Sequence, residues 1–315
     1  MHGQSFYHAH FDGNIGEYGS IFFKNLILTM LTLGIYSAWA ATENRKYFLS
    51  HLEIASRRYF YHGTGLELLI GRLKAMGILL IVALAYVLLF IAFPKLLEDT
   101  YFIAGLSLFV FLFTLLPVAI VCMLKYRLSR TSWSNIRMNF SGDWREFLPI
   151  YVNGALLTLL TLGFYAPFFT VRVYYYLIGK SRVGNKHYRF DGDGGELFPL
   201  FLKGLIITLL TLGIYYFWFL AHYYSYLINH TTIDGCRYHF KVTGLSFLTL
   251  IVPNGLILLV TLGLGTPIVF VQSMKFLAKH LYLDANFDPQ SMKQGHNDTV
   301  NATGEGLHSL LETNL

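Results

Sequence analysis

Charged and polar side chains recur at fixed intervals in this otherwise apolar chain of 315 residues. Counted from Phe11, Tyr61, Phe140, Phe190 and Phe240, a carboxylate stands six positions on in the first four cases, and a lysine or asparagine stands thirteen positions on. These residues are Glu17, Lys24, Glu67, Lys74, Glu146, Asn153, Glu196 and Lys203; the fifth case has Ser246 and Asn254 near these positions. A spacing of seven puts both groups on one helix face, two turns apart. We predict a polar ladder in which the helix dipole favours the carboxylate, while the lysine either returns to the interface or lines a polar groove.

A second set of polar residues lies 32 positions after the same starting points and comprises Glu43, Arg172, His222 and Gln272. If the four meet on a common axis, Glu43 can pair with Arg172 and His222 can titrate near neutral pH. They are the candidate residues for a polar pathway or a ligand site. The alternative is structural, because a polar residue near a helix end can simply reach the membrane interface.

A third set places a cation or histidine four residues after an aromatic residue. Its members are His51, Arg130, Lys180, His230 and His280. An aromatic ring followed by a cation is typical of an anchor at the headgroup boundary, where it can contact anionic lipid.

Other chemistries are not indicated. No nucleophile, base and orienting group occur together, so the chain is not expected to be an enzyme. Cys122 and Cys236 are expected to be free thiols, and no metal or cofactor is predicted, because the histidines lack ligand spacing. The net charge of +6 is spread along the chain, which argues against nucleic acid as a partner.

The composition indicates an integral membrane protein. Hydrophobic residues make up 54% of the chain, charged residues only 13%, and the mean hydropathy is +0.48. Two apolar runs, 75–93 and 101–124, each reach the length of about 18 to 20 residues that spans a bilayer core. The lipid bilayer is therefore the predicted partner.

The starting points divide the chain into five tandem repeats. A Thr-Leu-Gly corner ends at Gly34, Gly163, Gly213 and Gly263, each 23 positions after its start, and glycine there favours a helix end. We predict an all-α polytopic membrane protein with five helical hairpins, about ten membrane helices, and short strand or turn connectors. The predicted membrane domain covers 1–283, with 1–10 as a cap and repeats 11–60, 61–139, 140–189, 190–239 and 240–283. Residues 284–315 are predicted to be a disordered polar tail.

The charge distribution predicts the topology. The connectors between hairpins carry most of the lysines and arginines, so they and both termini are expected to face the cytoplasm. The first 19 residues lack Lys, Arg and an apolar core, and are not expected to be a cleavable signal peptide.

The repeated FxGxGxELF motif, the Thr-Leu-Gly-Ile-Tyr and Thr-Leu-Gly-Phe-Tyr-Ala-Pro corners, and the Tyr-Tyr-x-Tyr-Leu-Ile segments resemble the YjgN family of bacterial inner-membrane proteins. The resemblance covers about residues 6–284. It implies a multi-pass location in the bacterial inner membrane, and it implies no catalytic residue. For function we predict a transporter or channel; the alternative is a non-catalytic membrane scaffold or lipid-interacting protein.

Overall fold

The computed structural model describes residues 6–92 and 101–294. Its helices are α1 (Ile15–Leu31), α2 (Ser37–Ser50), α3 (Gly65–Ala92), α4 (Tyr101–Ser129), α5 (Trp144–Leu160), α6 (Ala166–Gly179), α7 (Gly194–Leu210), α8 (Tyr216–Asn229), α9 (Gly244–Val260) and α10 (Thr266–His280). Its strands are β1 (Phe6–His8), β2 (His10–Phe11), β3 (Leu52–Ile54), β4 (Arg57–Tyr61), β5 (Thr131–Trp133), β6 (Ile136–Phe140), β7 (Ser181–Val183), β8 (Lys186–Phe190), β9 (Thr231–Ile233), β10 (Cys236–Phe240) and β11 (Leu281–Asp284).

Four helical hairpins turn at a Thr-Leu-Gly corner. At the first, Thr32 Oγ1 donates to the Leu28 carbonyl and accepts from the Tyr36 amide, which joins the end of α1 to the start of α2. Leu33 and Gly34 then adopt φ values of 49° and 92°. The same geometry recurs at Leu162, Leu212 and Leu262. The left-handed conformation is easy for glycine, but it is uncommon for leucine.

Each helical hairpin starts at a side-chain cap. Asn14, Asp143, Asp193 and Thr243 accept from backbone amides of the first turn of α1, α5, α7 and α9. Before α3, Thr64 and Glu67 bond to each other's backbone amide, which is a capping box. These polar residues directly follow each aromatic strand end, and they explain why the chain changes from strand to helix there.

The connectors between helical hairpins form β-hairpins. Their two-residue turns contain residues with positive φ, including Ala55, Ser56, Ser134, Asn135 and Asp234. Such turns match the twist of antiparallel strands. Each β-hairpin also pairs with the next one along the chain, as Tyr59 with Trp133 and Tyr188 with Ile233. The result is one sheet of 11 strands, in the order β1-β11-β10-β9-β8-β7-β6-β5-β4-β3-β2.

The N-terminal strands close this sheet into a ring. β1 pairs with β11 and β2 pairs with β3, while between them the Ala9 amide donates to the Leu281 carbonyl at 3.0 Å. The helices close as well, because α1 packs against α10 and Tyr18 stacks on Phe270 at 4.5 Å. Every helical hairpin leaves the same edge of the ring, since all the tight β-turns lie at the other edge.

The interior of the strand ring is filled. Strands from all parts of the sheet contribute side chains that are almost fully buried, among them Trp133, Val183, Ile233 and Leu283. The segment after β11 adds Phe287, which is 2% exposed and stacks on Trp133 with ring centroids 5.4 Å apart. The Asn185 amide then donates to the Lys293 carbonyl at 3.1 Å, and the Lys293 amide donates to Asn185 Oδ1 at 2.9 Å, which fixes Lys293 near a β-turn.

The predicted all-α fold with about ten membrane helices is wrong. The connectors build an 11-stranded sheet, and among the described residues only Gly65–Leu88 and Ser107–Ser129 are long and apolar enough to cross a membrane. The 17-residue first helices of the other hairpins reach about 25 Å, which is shorter than a bilayer core of about 30 Å. Strands of three and five residues carry too little periodicity to predict a sheet whose pairing runs between repeats.

The domain boundaries stay predictions. Of the predicted tail, Asp284 is part of β11 and residues 285–294 lie against the strand ring; β1 and the first residue of β2 belong to the predicted cap. Residues 1–5 of the cap, 93–100 of the second repeat and 295–315 of the tail lie outside the described residues.

We expect Phe287→Ala to lower the free energy of unfolding by about 3–5 kcal/mol, because it removes a buried ring stacked on Trp133. Thermal and denaturant unfolding in detergent measure the change. Gln290→Ala is the control, since Gln290 is exposed on the same segment. Equal stability of the two variants would contradict the packing described for Phe287.

Alkaline pH is expected to destabilise the ring through its tyrosines. Burial raises the pKa of Tyr188 to about 12, whereas an unfolded tyrosine titrates near 10. This contribution to stability is complete below about pH 10 and is lost as the pH rises toward 12. Tyr188→Phe should therefore flatten the decline of the unfolding midpoint between these two values. An unchanged slope would mean that Tyr188 already ionises normally in the folded protein.

Candidate functional site

The carboxylates of the polar ladder, here called the first register, meet the cations or histidines of the third set, the third register. They meet in four of the five helical hairpins, at the end of the hairpin that is connected to the strands. The carboxylate at the start of the first helix lies next to the cation or histidine at the end of the second. The pairs are Glu17–His51 (3.7 Å), Glu67–Arg130 (3.0 Å), Glu146–Lys180 (2.8 Å) and Glu196–His230 (3.8 Å). Their side chains are partly exposed, and such pairs contribute only about 0–1 kcal/mol each.

Tyrosine hydroxyls complete these clusters. In the third hairpin Tyr176 accepts from the Asp143 amide at 2.8 Å, donates to the Asp143 carbonyl at 2.7 Å, and lies 3.2 Å from Glu146 Oε2. Tyr226 does the same with Asp193 and Glu196. In these two hairpins the hydroxyl thereby ties the second helix to the cap residue of the first helix.

The fifth hairpin lacks both the carboxylate and the tyrosine hydroxyl. Ser246 replaces the carboxylate and Phe276 replaces the tyrosine, while His280 remains, stacked against Phe276 at 4.3 Å. The acid and the hydroxyl are therefore present together in four units and absent together in one. This correlated change within the chain is the signal that could have revealed the cluster from the sequence.

The second set of polar residues, here called the second register, comprises Glu43, Arg172, His222 and Gln272, and its members do not contact one another. Glu43 instead pairs with Lys24 of its own hairpin, with Nζ and Oε2 2.8 Å apart. The Arg172 guanidinium lies over the Tyr165 ring, and His222 Nδ1 lies 2.6 Å from the Trp218 carbonyl oxygen. Gln272, like Arg172 and His222, is exposed. The structure thus places one member on the exposed side of each of four hairpins.

Shallow grooves connect the ladder to this second register. The first hairpin has a groove of about 540 Å³ lined by Glu17, Lys24, Glu43, His51 and His62. The third has one of about 440 Å³ in the same place, lined by Asn153 and Arg172. Lys74 and Lys203 are exposed on the equivalent faces of α3 and α7. The polar ladder therefore follows the exposed side of the hairpins.

Exposed cations encircle the molecule near the strands. We call these residues the basic belt; they lie on the outer strand surface or at the nearby helix ends, and no ion pair involves them among the described residues. The basic belt comprises Lys46, Lys125, Arg127, Arg189, Lys241, Lys275 and Lys279. The outer strand surface also carries paired arginines, such as Arg58 with Asp12 at 2.6 Å and Arg237 with Asp191.

The opposite ends of the hairpins are apolar and exposed. The corner leucines Leu33, Leu162, Leu212 and Leu262 are 96%, 90%, 95% and 92% exposed. The two residues at the end of each preceding helix are also large, apolar and exposed. Each of these four tips thus presents three or more large apolar side chains, including a leucine in a strained backbone conformation.

One titrating group lies between the first two hairpins. His62 follows β4, and its Nε2 is 2.8 Å from Ser132 Oγ. Partial burial, reinforced by Arg137, Lys46 and Arg130, lowers the His62 pKa from its ordinary value. Among the described residues no group of three or more His, Cys, Asp or Glu side chains could hold a metal ion.

Sequence reasoning missed two parts of this surface. It treated the carboxylate and cation registers separately, although they form one cluster, and it did not recognise the exposed tips. The tips carried a signal, because Leu-Leu-Thr-Leu-Gly and similar corners place bulky apolar residues where turn residues are usual.

Comparison with known proteins supports the resemblance. The chain matches the family described as "Bacterial protein of unknown function (DUF898)" over residues 7–221, 186–235 and 217–310. Inner membrane protein YjgN of Salmonella typhimurium strain LT2 is 29% identical over 156 residues, covering 48% of this chain and 37% of that protein. Inner membrane protein YjgN of Escherichia coli K12 is 26% identical over 159 residues, covering 50% and 37%.

The matched part of this chain thus spans little more than a third of the curated relatives' length. No solved structure matches the chain. The family match extends over nearly all described residues, and the resemblance that the sequence motifs indicate is confirmed. The chain therefore belongs to the DUF898 family of bacterial proteins of unknown function, which includes relatives of the YjgN type.

Proposed function

We propose that this protein is a non-catalytic, lipid-binding scaffold of the bacterial inner membrane. In this proposal α3 and α4 cross the bilayer, and the four shorter hairpins enter it tip first from the cytoplasmic side. The strand ring lies at that surface, and the basic belt contacts anionic lipid headgroups. Both the first and last described strands belong to the ring, so this arrangement puts both ends of the described chain on the cytoplasmic side.

The single observation that carries the proposal is the set of corner leucines. In water, a leucine that is at least 90% exposed gains no free energy from burial, and its positive φ adds backbone strain. Asparagine or glycine would form this corner more easily. Leucine at four equivalent tips is favourable only if the tips lie in an apolar environment such as the acyl chains of a bilayer.

The lengths of the helices fit partial insertion. A 17-residue helix reaches about 25 Å, so a hairpin of this kind enters a bilayer without crossing all of it. The stretch Gly65–Leu88 is long enough to cross, and none of its most apolar window is buried inside the protein. The two long helices α3 and α4 thus anchor the protein by crossing the bilayer, and the shorter hairpins add apolar surface around them.

The charges fit the same orientation. The basic belt lies at the strand end of the hairpins, and positive residues are favoured on the cytoplasmic side of membranes. Each exposed lysine or arginine near an anionic surface contributes about 1 kcal/mol to its attraction. The belt residues are free to bind phosphate groups, because no carboxylate pairs with them among the described residues.

Two observations favour the scaffold over the transporter or channel that the sequence predicts. The axis of the strand ring is filled by large side chains such as Trp133 and Phe287. The candidate pathway residues lie on four separate hairpins: Arg172, His222 and Gln272 are exposed, and Glu43 is half-buried and paired with Lys24. Flux of any solute from a broad panel into proteoliposomes, reduced in Glu43→Gln with Arg172→Gln, would favour the transporter instead.

The depth of a fluorescent probe in the bilayer tests whether the hairpin tips insert. With Cys122 and Cys236 changed to serine, we place single cysteines at Leu33, Leu162, Leu212 or Leu262 and attach an environment-sensitive fluorophore. In proteoliposomes we expect blue-shifted emission that is quenched by lipids carrying deep spin labels. Ser56→Cys, in an exposed β-turn at the far edge of the ring, is the control and should report water. Water-like emission at all four tips would overturn the proposal.

Titration with fluorescent phosphatidylglycerol in mixed micelles tests the basic belt. Lys275→Gln with Lys279→Gln removes two neighbouring exposed charges of α10 and should weaken binding by roughly tenfold to thirtyfold. Phosphatidylcholine should show no such loss. Lys293→Gln is the matched control, because Lys293 is exposed on the segment at the far edge of the ring. An equal effect of both variants would exclude a specific role for the belt.

A further inference from the structure

The two helices of each short hairpin pack around one position midway along the first helix. In the third and fourth hairpins this position is glycine, and an aromatic ring of the second helix covers it. A Cβ atom on Gly154 would lie 2.1 Å from Phe169, and one on Gly204 would lie 2.1 Å from Phe219. In these hairpins the ring fills the space between the helices.

The first and fifth hairpins have an asparagine at this position and no ring opposite it. Asn25 takes the place of the glycine in the first hairpin, where Ala40 stands in place of the phenylalanine. In the fifth hairpin the corresponding residues are Asn254 and Val269. A smaller aliphatic side chain thus replaces the aromatic ring, and an amide is introduced beside it.

These amides are buried without full hydrogen bonding. Asn25 is 4% exposed, and neither its Oδ1 nor its Nδ2 has a partner among the described residues. Asn254 is 6% exposed; its Nδ2 donates to Ser273 Oγ at 3.4 Å, and its Oδ1 has no partner. Asn44 Oδ1, in the position equivalent to Ser273, also lacks one. A buried polar group left without a partner costs about 1–3 kcal/mol.

Both asparagines flank the seam where the ring of helices closes. Tyr18, seven residues before Asn25, stacks on Phe270 of the fifth hairpin. The ion pair of Lys24 and Glu43 lies on the exposed side of the same hairpin and does not bond to Asn25. Among the described residues, neither asparagine amide hydrogen-bonds to a charged side chain.

We propose that the first and fifth hairpins each hold a small, uncharged hydrogen-bonding molecule, namely water, between their helices at Asn25 and Asn254. Water can donate to the free Oδ1 atoms and accept from Asn25 Nδ2. Alanine or valine in place of the aromatic ring also leaves room between the helices that water can occupy. The interiors of these two hairpins are thus hydrated, unlike those of the third and fourth hairpins, and this inference does not depend on lipid binding.

Cysteine accessibility in proteoliposomes tests the inference directly. In the background without Cys122 and Cys236, Asn25→Cys and Asn254→Cys should react with 2-aminoethyl methanethiosulfonate at least tenfold faster than Leu197→Cys. Leu197 is a fully buried, apolar residue of the fourth hairpin and serves as the matched control. Rates equal to that of Leu197→Cys would overturn the proposal.

A second experiment does not depend on cysteine, which could itself change the site. It gives the first hairpin the side-chain packing of the third. Asn25→Gly combined with Ala40→Phe installs the glycine and ring of the third hairpin, which should displace the water and raise the thermal midpoint above that of Asn25→Gly alone. A combined variant that melts at or below the single variant would mean that no such space exists in the first hairpin.

Discussion

Strand pairing between neighbouring units is the constraint on which the whole structure depends. A β-hairpin of three- and five-residue strands is too small to be stable alone, and each one here gains its further partners from the strands on either side of it in the ring. The strand edge left at each end of the array is covered by the N-terminal residues Phe6–Phe11, which pair with both. The placement of every helical hairpin follows from this ring.

The strand ring also determines which side chains point inward, toward its axis, and which point outward. Alternation along each strand sends Trp133, Val183 and Leu283 to the axis, and residues such as Arg58 and Arg189 to the outside. The same separation continues into the hairpins, where Tyr18 faces the core while Glu17 and Lys24 are exposed. Polar groups are therefore gathered at the base and outside, and apolar surface is gathered at the tips.

Local signals in the sequence predicted much of this arrangement. Asn14 and Asp193 at helix starts, and Gly34 and Gly213 at corners, act within a few residues, so the helices and their turns could be placed from the sequence. The sheet could not be predicted, because its pairs join residues of different units and its strands are very short. High hydrophobicity then suggested membrane helices everywhere, although most hairpins are too short to cross.

In the candidate site, too, local features could be predicted from the sequence, but contacts between elements could not. The registers of Glu146, Lys180, Asn153 and Arg172 could be found by counting, but counting does not tell which registers meet. The contact between Glu146 and Lys180 depends on how α5 and α6 return to the same edge of the ring. Glu43 pairs with Lys24 rather than Arg172 because Lys24 is in the same hairpin and Arg172 is in the third. Such distances are properties of the closed sheet.

Closure by the N-terminal strand has a consequence for the order of synthesis. Tyr7 pairs with Leu283, so β1, the first of the described strands to be synthesised, meets its partner β11 only when almost all of the described chain has been made. Until then the growing sheet is an open arc with an unpaired edge at its newest end. Contacts this distant in sequence slow folding, and open edges invite pairing with other chains. In the proposed arrangement, early insertion of α3 and α4 into the bilayer would keep the incomplete sheet of one molecule apart from those of other molecules until β11 has been made.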